Sequence, residues 1–329
     1  MTALLDIRGL TIDIARDGGP ARVVDGIDLA IQPGESVGIV GESGCGKSLT
    51  MLSLVGLLPN RIRATGGSAM FGGRDLLKLG PKELRKVRGS EIGFIFQDPM
   101  TSLNPVIRVG DQIAEALIWQ KGMAKEAAQA RAVELLELVG IPGPAERARA
   151  WPHELSGGMR QRVMIAMGLA GHPRLLIADE PTTALDVTIQ AQIADLVRDL
   201  KDKMQMAVVW ITHDLALIAG LADRIAVLYA GTVVEDAPVS AIFERPTHPY
   251  TRGLLASLPT LAGAAMERLP SIGGTPPEPG RRPPGCPFAP RCAHAVAACA
   301  EAVPRLAPVP GSDPRHRVAC PVMTERAAA

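Results

Sequence analysis

Five small or aliphatic residues, Ser36 to Val40, lead directly into Gly41-Glu42-Ser43-Gly44-Cys45-Gly46-Lys47-Ser48. An apolar run of this length reads as a strand buried on both faces, and the spaced glycines force a tight loop before a helix that opens near Lys47. Strand, glycine loop and helix in that order commit the chain to an α/β fold with a mostly parallel sheet. The chemistry of the loop is equally narrow. Its glycines let backbone N–H groups turn inward around phosphate oxygens, and the helix start adds its positive end. Lys47 is expected to reach the β- and γ-phosphates of a nucleotide, Ser48 to place its hydroxyl on Mg²⁺, and Leu49 to follow on the same helix turn. A chance match in a glycine-rich chain is the bland alternative, and the strand-to-helix context speaks against it. Cys45 fills a variable loop position, with a redox-sensitive thiol as the other reading.

Short aliphatic runs recur further on, at Ile92 to Phe96, Leu175 to Ala178 and Ala207 to Ile211, and are expected to join the same sheet. Between them, Ala132, Leu135, Leu136 and Val139 fall at helical spacing within Ala124 to Val139, which stops at Gly140 and Pro142. Residues 98–154 are therefore expected to form a helical insertion. The start differs: Leu5 to Leu10, Val23 to Val24 and Leu29 to Ile31, separated by glycines and prolines, predict an antiparallel β patch.

Two more segments carry chemistry. Leu175-Leu176-Ile177-Ala178-Asp179-Glu180 is a buried strand ending in two acids, where α/β sheets bind ligands. Asp179 is expected in the Mg²⁺ shell, and Glu180 as the group that orients or deprotonates an attacking water. A solvated acid pair at a strand end is the plainer alternative. Leu155-Ser156-Gly157-Gly158-Met159-Arg160-Gln161-Arg162 opens a helix expected to run to about Ala170 and offers a second set of free N–H groups to an anion. Ser156 as an ordinary N-cap is the alternative, but it leaves the second glycine without a purpose.

Taken together, these segments resemble the ATP-binding subunits of ABC transporters over about residues 3 to 260. The glycine loop matches Walker A, Leu155 to Arg162 the signature motif, and Leu175 to Glu180 Walker B. Gln97 matches the Q-loop glutamine, Ala184-Leu185-Asp186 the D-loop and His213 the switch histidine, in the family's order and spacing. Phe96 to Pro105, Thr247 to Thr251 and the cysteine-bearing tail look like the peptide and nickel importer branch. The resemblance implies a Mg²⁺-dependent ATPase working as a head-to-tail pair. Ser156, Gly157, Gly158 and Gln161 of one subunit would then meet the ATP held by the partner's glycine loop. It also implies that Gln97 senses Mg²⁺ and the attacking water, and that His213 bonds the γ-phosphate. The implied partners are a second, paralogous ATPase, two membrane permeases and, indirectly, an extracytoplasmic binding protein, at the cytoplasmic face of the inner membrane. Many such subunits stack adenine on an aromatic residue before the loop strand; Arg16 to Asp25 has none, which leaves Arg22 to contact the base.

Composition narrows the alternatives. Lys+Arg 35 against Asp+Glu 34 lacks the basic excess of a nucleic-acid binder, and 3% aromatics argues against a base-stacking platform. Ser48 and Ser156 lie 108 positions apart with no sustained heptads between, unlike the long coiled coils of repair ATPases, and one cassette differs from the paired cassettes of translation factors. Lys47, Asp179, Glu180 and His213 occurring together argue against a catalytically dead module. Cargo is open: di- or oligopeptide import is favoured, with nickel, opine and glutathione as alternatives.

Proline marks a boundary, with 13 of 28 prolines in residues 270–329, so 1–269 is expected as the ATPase domain and 270–329 as an irregular extension. The extension holds Cys286, Cys292, Cys299 and Cys320. Their spacing departs from the usual zinc pairs, and tails of some importer ATPases that this chain resembles carry a [4Fe–4S] cluster, the expectation here, with Zn²⁺ as the alternative. His294 and His316 are expected to be solvated.

Overall fold

The computed structural model describes residues 2–183, 185–258 and 271–323. Along them run β1 (Leu5–Ile14), β2 (Ala21–Ile31), β3 (Ser36–Val40), β4 (Ile62–Phe71), β5 (Arg74–Asp75), β6 (Ile92–Ile95), β7 (Leu175–Asp179), β8 (Ala207–Thr212), β9 (Arg224–Tyr229), β10 (Thr232–Pro238), β11 (Ala307–Pro308) and β12 (Arg317–Val318). The chain divides into two compact units.

One unit consists mainly of Lys78–Ile211, with Ile31–Ser36. Its strands β6, β7 and β8 are parallel, in the registers Ile92↔Leu175 and Leu175↔Ala207. β7 and β8 are buried throughout, which is why they read as unbroken aliphatic runs rather than alternating ones. The expected insertion is helical: Val109–Lys121 and Lys125–Leu138 are its main helices. The second buries Ala132, Leu135 and Leu136 of the predicted stripe, with Ala128 one turn earlier, and Val139 at its C-cap is buried too.

The other unit joins Leu4–Ala30 and Val37–Leu77 to Thr212–Ala329. β1 and β4 pair antiparallel in a four-stranded sheet ordered β2-β1-β4-β5, so the N-terminal patch is as expected. β3 runs parallel to β9, in the register Val37↔Arg224. The expectation of mostly parallel strands needs one amendment here. β9 turns back through Ala230 and Gly231, both at positive φ, into antiparallel β10, and β12 and β11 then add antiparallel to β10 and to each other.

The boundary expected at 269/270 lies outside the described residues. On its far side, 271–323 do not stand apart but cluster with the glycine-loop unit. The tie is polar and buried. Glu235 of β10 is fully buried; its carboxylate accepts the N–H groups of Thr247 (2.7 Å) and His248 (2.9 Å) and pairs with His316 Nε2 at 2.8 Å. Asp236 is bridged by Arg224 and by Arg317 of β12. His316 is therefore not solvated as expected: it is fully buried, its other ring nitrogen 2.8 Å from Ser312 Oγ. His294 is exposed.

His248 caps the helix Pro249–Ala256, its Nδ1 accepting the Tyr250 N–H at 3.0 Å. It is 1% exposed, and burial lowers its pKa to about 4, against the upward pull of Glu235. An imidazole held neutral in the folded state but free to charge in the unfolded chain makes the unfolded chain bind more protons between pH 6.5 and about 4. Stability should then be full above pH 6.5 and fall by about 3 kcal/mol as pH drops through that window. Urea unfolding at pH 7 and pH 4.5 checks this: His248→Asn, which keeps a cap acceptor, should flatten the difference, and an equal slope in both proteins would refute it.

Candidate functional site

In the glycine-loop unit, the close fit of the chain explains the first glycine. A Cβ on Gly41 would lie 2.1 Å from the Leu228 carbonyl oxygen, and its φ of 153° suits glycine. The helix Lys47–Leu54 begins at the end of the loop with Gly46 in the left-handed conformation at its N-cap and no side chain capping it. Lys47 is 5% exposed, its Nζ donating to the carbonyls of Gly41 (2.7 Å) and Glu42 (3.1 Å). Ser43 and Gly44 at the loop tip are exposed, Cys45 and Gly46 are buried, and Ser48 and Leu49 are half-buried on the first helix turn. Burial pushes the Cys45 thiol up, which favours the filler reading over a reactive thiol.

Glu42 is tied down from two directions that the sequence did not reveal. Its N–H donates to Tyr250 Oη at 2.9 Å, and its carboxylate is gripped by Arg291 of the extension. His213 stands exposed after β8. The turn beneath it is fixed by Asp214, whose N–H donates to Thr212 Oγ1 and whose carboxylate caps the helix Leu215–Ala219.

In the other unit, Asp179 closes β7 at 6% exposure. Glu180 follows at φ 46°, a left-handed conformation that side chains beyond glycine seldom adopt. Strain of this kind at the end of a buried strand is common in functional sites. Gln97 Nε2 donates to Glu180 Oε2 at 2.8 Å, and Thr183 Oγ1 donates to the same oxygen at 3.0 Å. Two expected residues 83 positions apart in the sequence thus meet, and Thr183 joins them unforeseen.

Ser156 is exposed and caps the helix Gly157–Leu169, its Oγ accepting the Met159 N–H at 3.3 Å. The second glycine has a packing reason as well: a Cβ on Gly158 would press to 3.0 Å from Ile189 Cγ2, while Gly157 is exposed. Leu185 and Asp186 follow, Asp186 capping the helix Val187–Met204; Ala184, named with them, lies outside the described residues.

Gln161 and Arg22 have surroundings that the sequence did not show. Gln161 is 1% exposed, turned into the core by helix periodicity. Arg22 pairs with two carboxylates, its Nε donating to Asp13 at 3.0 Å and its Nη1 to Asp25 at 3.3 Å, on a side chain 48% exposed. Among the described residues, no group of three or more His, Cys, Asp or Glu is placed to hold a single metal ion.

Residues 24–183 match the ABC transporter family, and residues 234–299 match the oligopeptide/dipeptide transporter C-terminal region. The oligopeptide transport ATP-binding protein OppD of Bacillus subtilis is 52% identical over 299 residues, covering 90% of this chain and 83% of OppD. The chain belongs to the ABC transporter ATPases. A second relative, the dipeptide transport ATP-binding protein DppD of the same organism, is 49% identical over 92% of this chain and 91% of its own length. Among solved ABC cassettes, a dimer in a post-hydrolysis state bound to ADP and Pi aligns with a TM-score of 0.63 and 31% identity, over 71% of this chain and 98% of that one. Like its family, this ABC transporter ATPase hydrolyses ATP in step with transport. No helix among the described residues is long and apolar enough to cross a membrane.

Proposed function

We propose that this chain is the ATP-hydrolysing subunit of a peptide importer. The observation that carries the reading is the match of residues 234–299 to the oligopeptide/dipeptide C-terminal region, because the ATPase portion alone is common to ABC transporters at large. ATP is bound by the loop Gly41 to Ser48, with Lys47 on the β- and γ-phosphates. Ser48 and Asp179 bear the hard oxygen donors that Mg²⁺ takes, with Gln97 beside them in role, and the ion neutralises phosphate charge. Glu180 takes the proton of the attacking water, and the hydrogen bonds from Gln97 and Thr183 to Oε2 orient its carboxylate for that task. His213 bonds the γ-phosphate. Ser156 and Gly158 complete the site of a second, paralogous ATPase.

Two permeases at the cytoplasmic face of the inner membrane complete the importer, with an extracytoplasmic binding protein delivering the peptide. Exposed apolar side chains on the helical insertion, Met100 (63%), Val106 (75%) and Trp119 (79%), support a protein partner there. Co-expression with the neighbouring permeases and second ATPase should yield one complex whose ATPase activity in proteoliposomes rises with binding protein and di- or oligopeptide. Stimulation by nickel or an opine and not by peptide would overturn the cargo, and a fully active homodimer without permeases would overturn the assembly.

The extension carries a second element of this proposal, a [4Fe–4S] cluster on Cys286, Cys292, Cys299 and Cys320. The donor chemistry fits. Burial raises the Cys286 thiol, and its neighbours Cys299 and Cys320 add to the rise; Cys320 in turn is affected by Cys292 and Cys299. The His294 N–H points at Cys292 Sγ (3.4 Å), the kind of bond that supports cluster thiolates. A single Zn²⁺ is the alternative, and the spacing of the four cysteines departs from the close pairs that zinc sites use. The cluster's part is structural cross-linking. Anaerobic purification should give about four irons and four acid-labile sulfides per chain; zinc alone would overturn it.

A further inference from the structure

Arg291 is fixed to an unusual degree for an arginine in a proline-rich extension. Its side chain is 5% exposed, and all five N–H donors are used. Nε donates to the Gly273 carbonyl (2.8 Å) and Nη2 to the Ile272 carbonyl (3.2 Å), while Nη1 donates to Tyr229 Oη (3.2 Å). The remaining two form a fork on one carboxylate: Nη1 to Glu42 Oε2 at 2.8 Å and Nη2 to Glu42 Oε1 at 3.0 Å. The guanidinium also lies over the rings of Tyr229 and Phe288, 5.7 and 5.9 Å from their centroids. Tyr229, Tyr250 and Phe288 form one aromatic cluster around it.

Glu42 is the second residue of the glycine loop, and every polar group of it is occupied. Arg291 holds the carboxylate, Tyr250 Oη accepts the N–H, and the carbonyl accepts from Lys47 Nζ. A short hydrogen-bonded chain therefore runs from the extension to the lysine: Arg291, Glu42, Lys47. A carboxylate at the mouth of a loop built for phosphate is also an electrostatic liability, since it repels the charge of ATP. The same fork that fixes Glu42 cancels that charge.

We propose that Arg291 is a positioning residue for ATP binding: through Glu42 it sets the loop and Lys47 and neutralises the carboxylate, so that the C-terminal extension governs nucleotide affinity. The proposal rests on the reading of Gly41 to Ser48 as the ATP site. Calorimetric titration of the full-length chain with MgATP tests it, alongside thermal unfolding without nucleotide. Arg291→Ala should raise the ATP Kd about tenfold, the size expected when one member of a coupled, hydrogen-bonded charge pair is removed. Arg291→Lys, which keeps the charge but not the fork, should fall between it and the parent protein. Arg291→Ala/Glu42→Gln should bind no more weakly than Arg291→Ala, because the charge left bare in the single variant is gone.

A purely structural arginine would lower the unfolding temperature in Arg291→Ala and Arg291→Lys and leave the Kd where it was. That outcome, or strictly additive effects in the double variant, would overturn the proposal. Lys47→Ala separates the two readings. If it weakens ATP binding while Arg291→Ala and Arg291→Lys bind like the parent, only the clamp fails; if it changes nothing, the loop is not the ATP site and both fail.

Discussion

Glu180→Gln is expected to lower steady-state ATP turnover by about a hundredfold or more while leaving ATP affinity within about twofold, since a general base contributes about 10² to 10⁴ in rate. An amide keeps the size and hydrogen-bonding capacity of the carboxylate but cannot accept a proton. The partners of Glu180 make the substitution structurally mild. Gln97 Nε2 and Thr183 Oγ1 both donate to Oε2, and a glutamine presenting its Oε1 there would keep both bonds. The backbone at φ 46° is no worse for glutamine than for glutamate. Turnover assays on the assembled complex and nucleotide binding on the same preparation decide it; near-parental turnover would remove Glu180 from the chemistry.

Lys47→Ala has its effect one step earlier. The ammonium is 5% exposed and bonded to two loop carbonyls, so its charge is already gathered where phosphate oxygens would lie. Charge-assisted hydrogen bonds of this kind contribute about 1.5 to 3 kcal/mol, so ATP affinity should fall by roughly one to two orders of magnitude. Fluorescence titration with MgATP would show it. Unchanged affinity would mean that the loop holds its lysine for internal support alone.

The glycine loop and the strand ending in Asp179 and Glu180 were legible because each encodes its function within eight consecutive residues. The apolar runs located β3 to the residue and β7 one residue short, at Ala178 where the strand ends at Asp179, as strands buried on both faces should. β9 and β10 were not legible in the same way. β10 places Glu235 and Asp236 mid-strand, a pattern that reads as solvated surface, and both are buried because Arg224, His316 and Arg317 meet them. No local periodicity contains a partner 81 positions away. The same limit hid the Arg291 fork, whose two residues are 249 positions apart. Glu180's left-handed backbone, in turn, is set by the packing around the strand end and leaves no trace in residue type.

The pairing of β10 with β12 fixes an order of events during synthesis. When Glu235 and Asp236 are added to the growing chain, the histidine and arginine that complete their pairing are 81 residues from being made, roughly ten seconds away at ordinary translation rates. Until then Asp236 has Arg224 and Glu235 has the N–H groups of Thr247 and His248, but neither carboxylate has its full set of partners, and closing the strand over them carries the cost of buried, incompletely paired charge. The glycine-loop unit therefore waits for nearly the last stretch of the described chain before it can mature. A message broken before that point yields a chain with every nucleotide motif intact but with Glu235 and Asp236 lacking the histidine and arginine that complete their pairing.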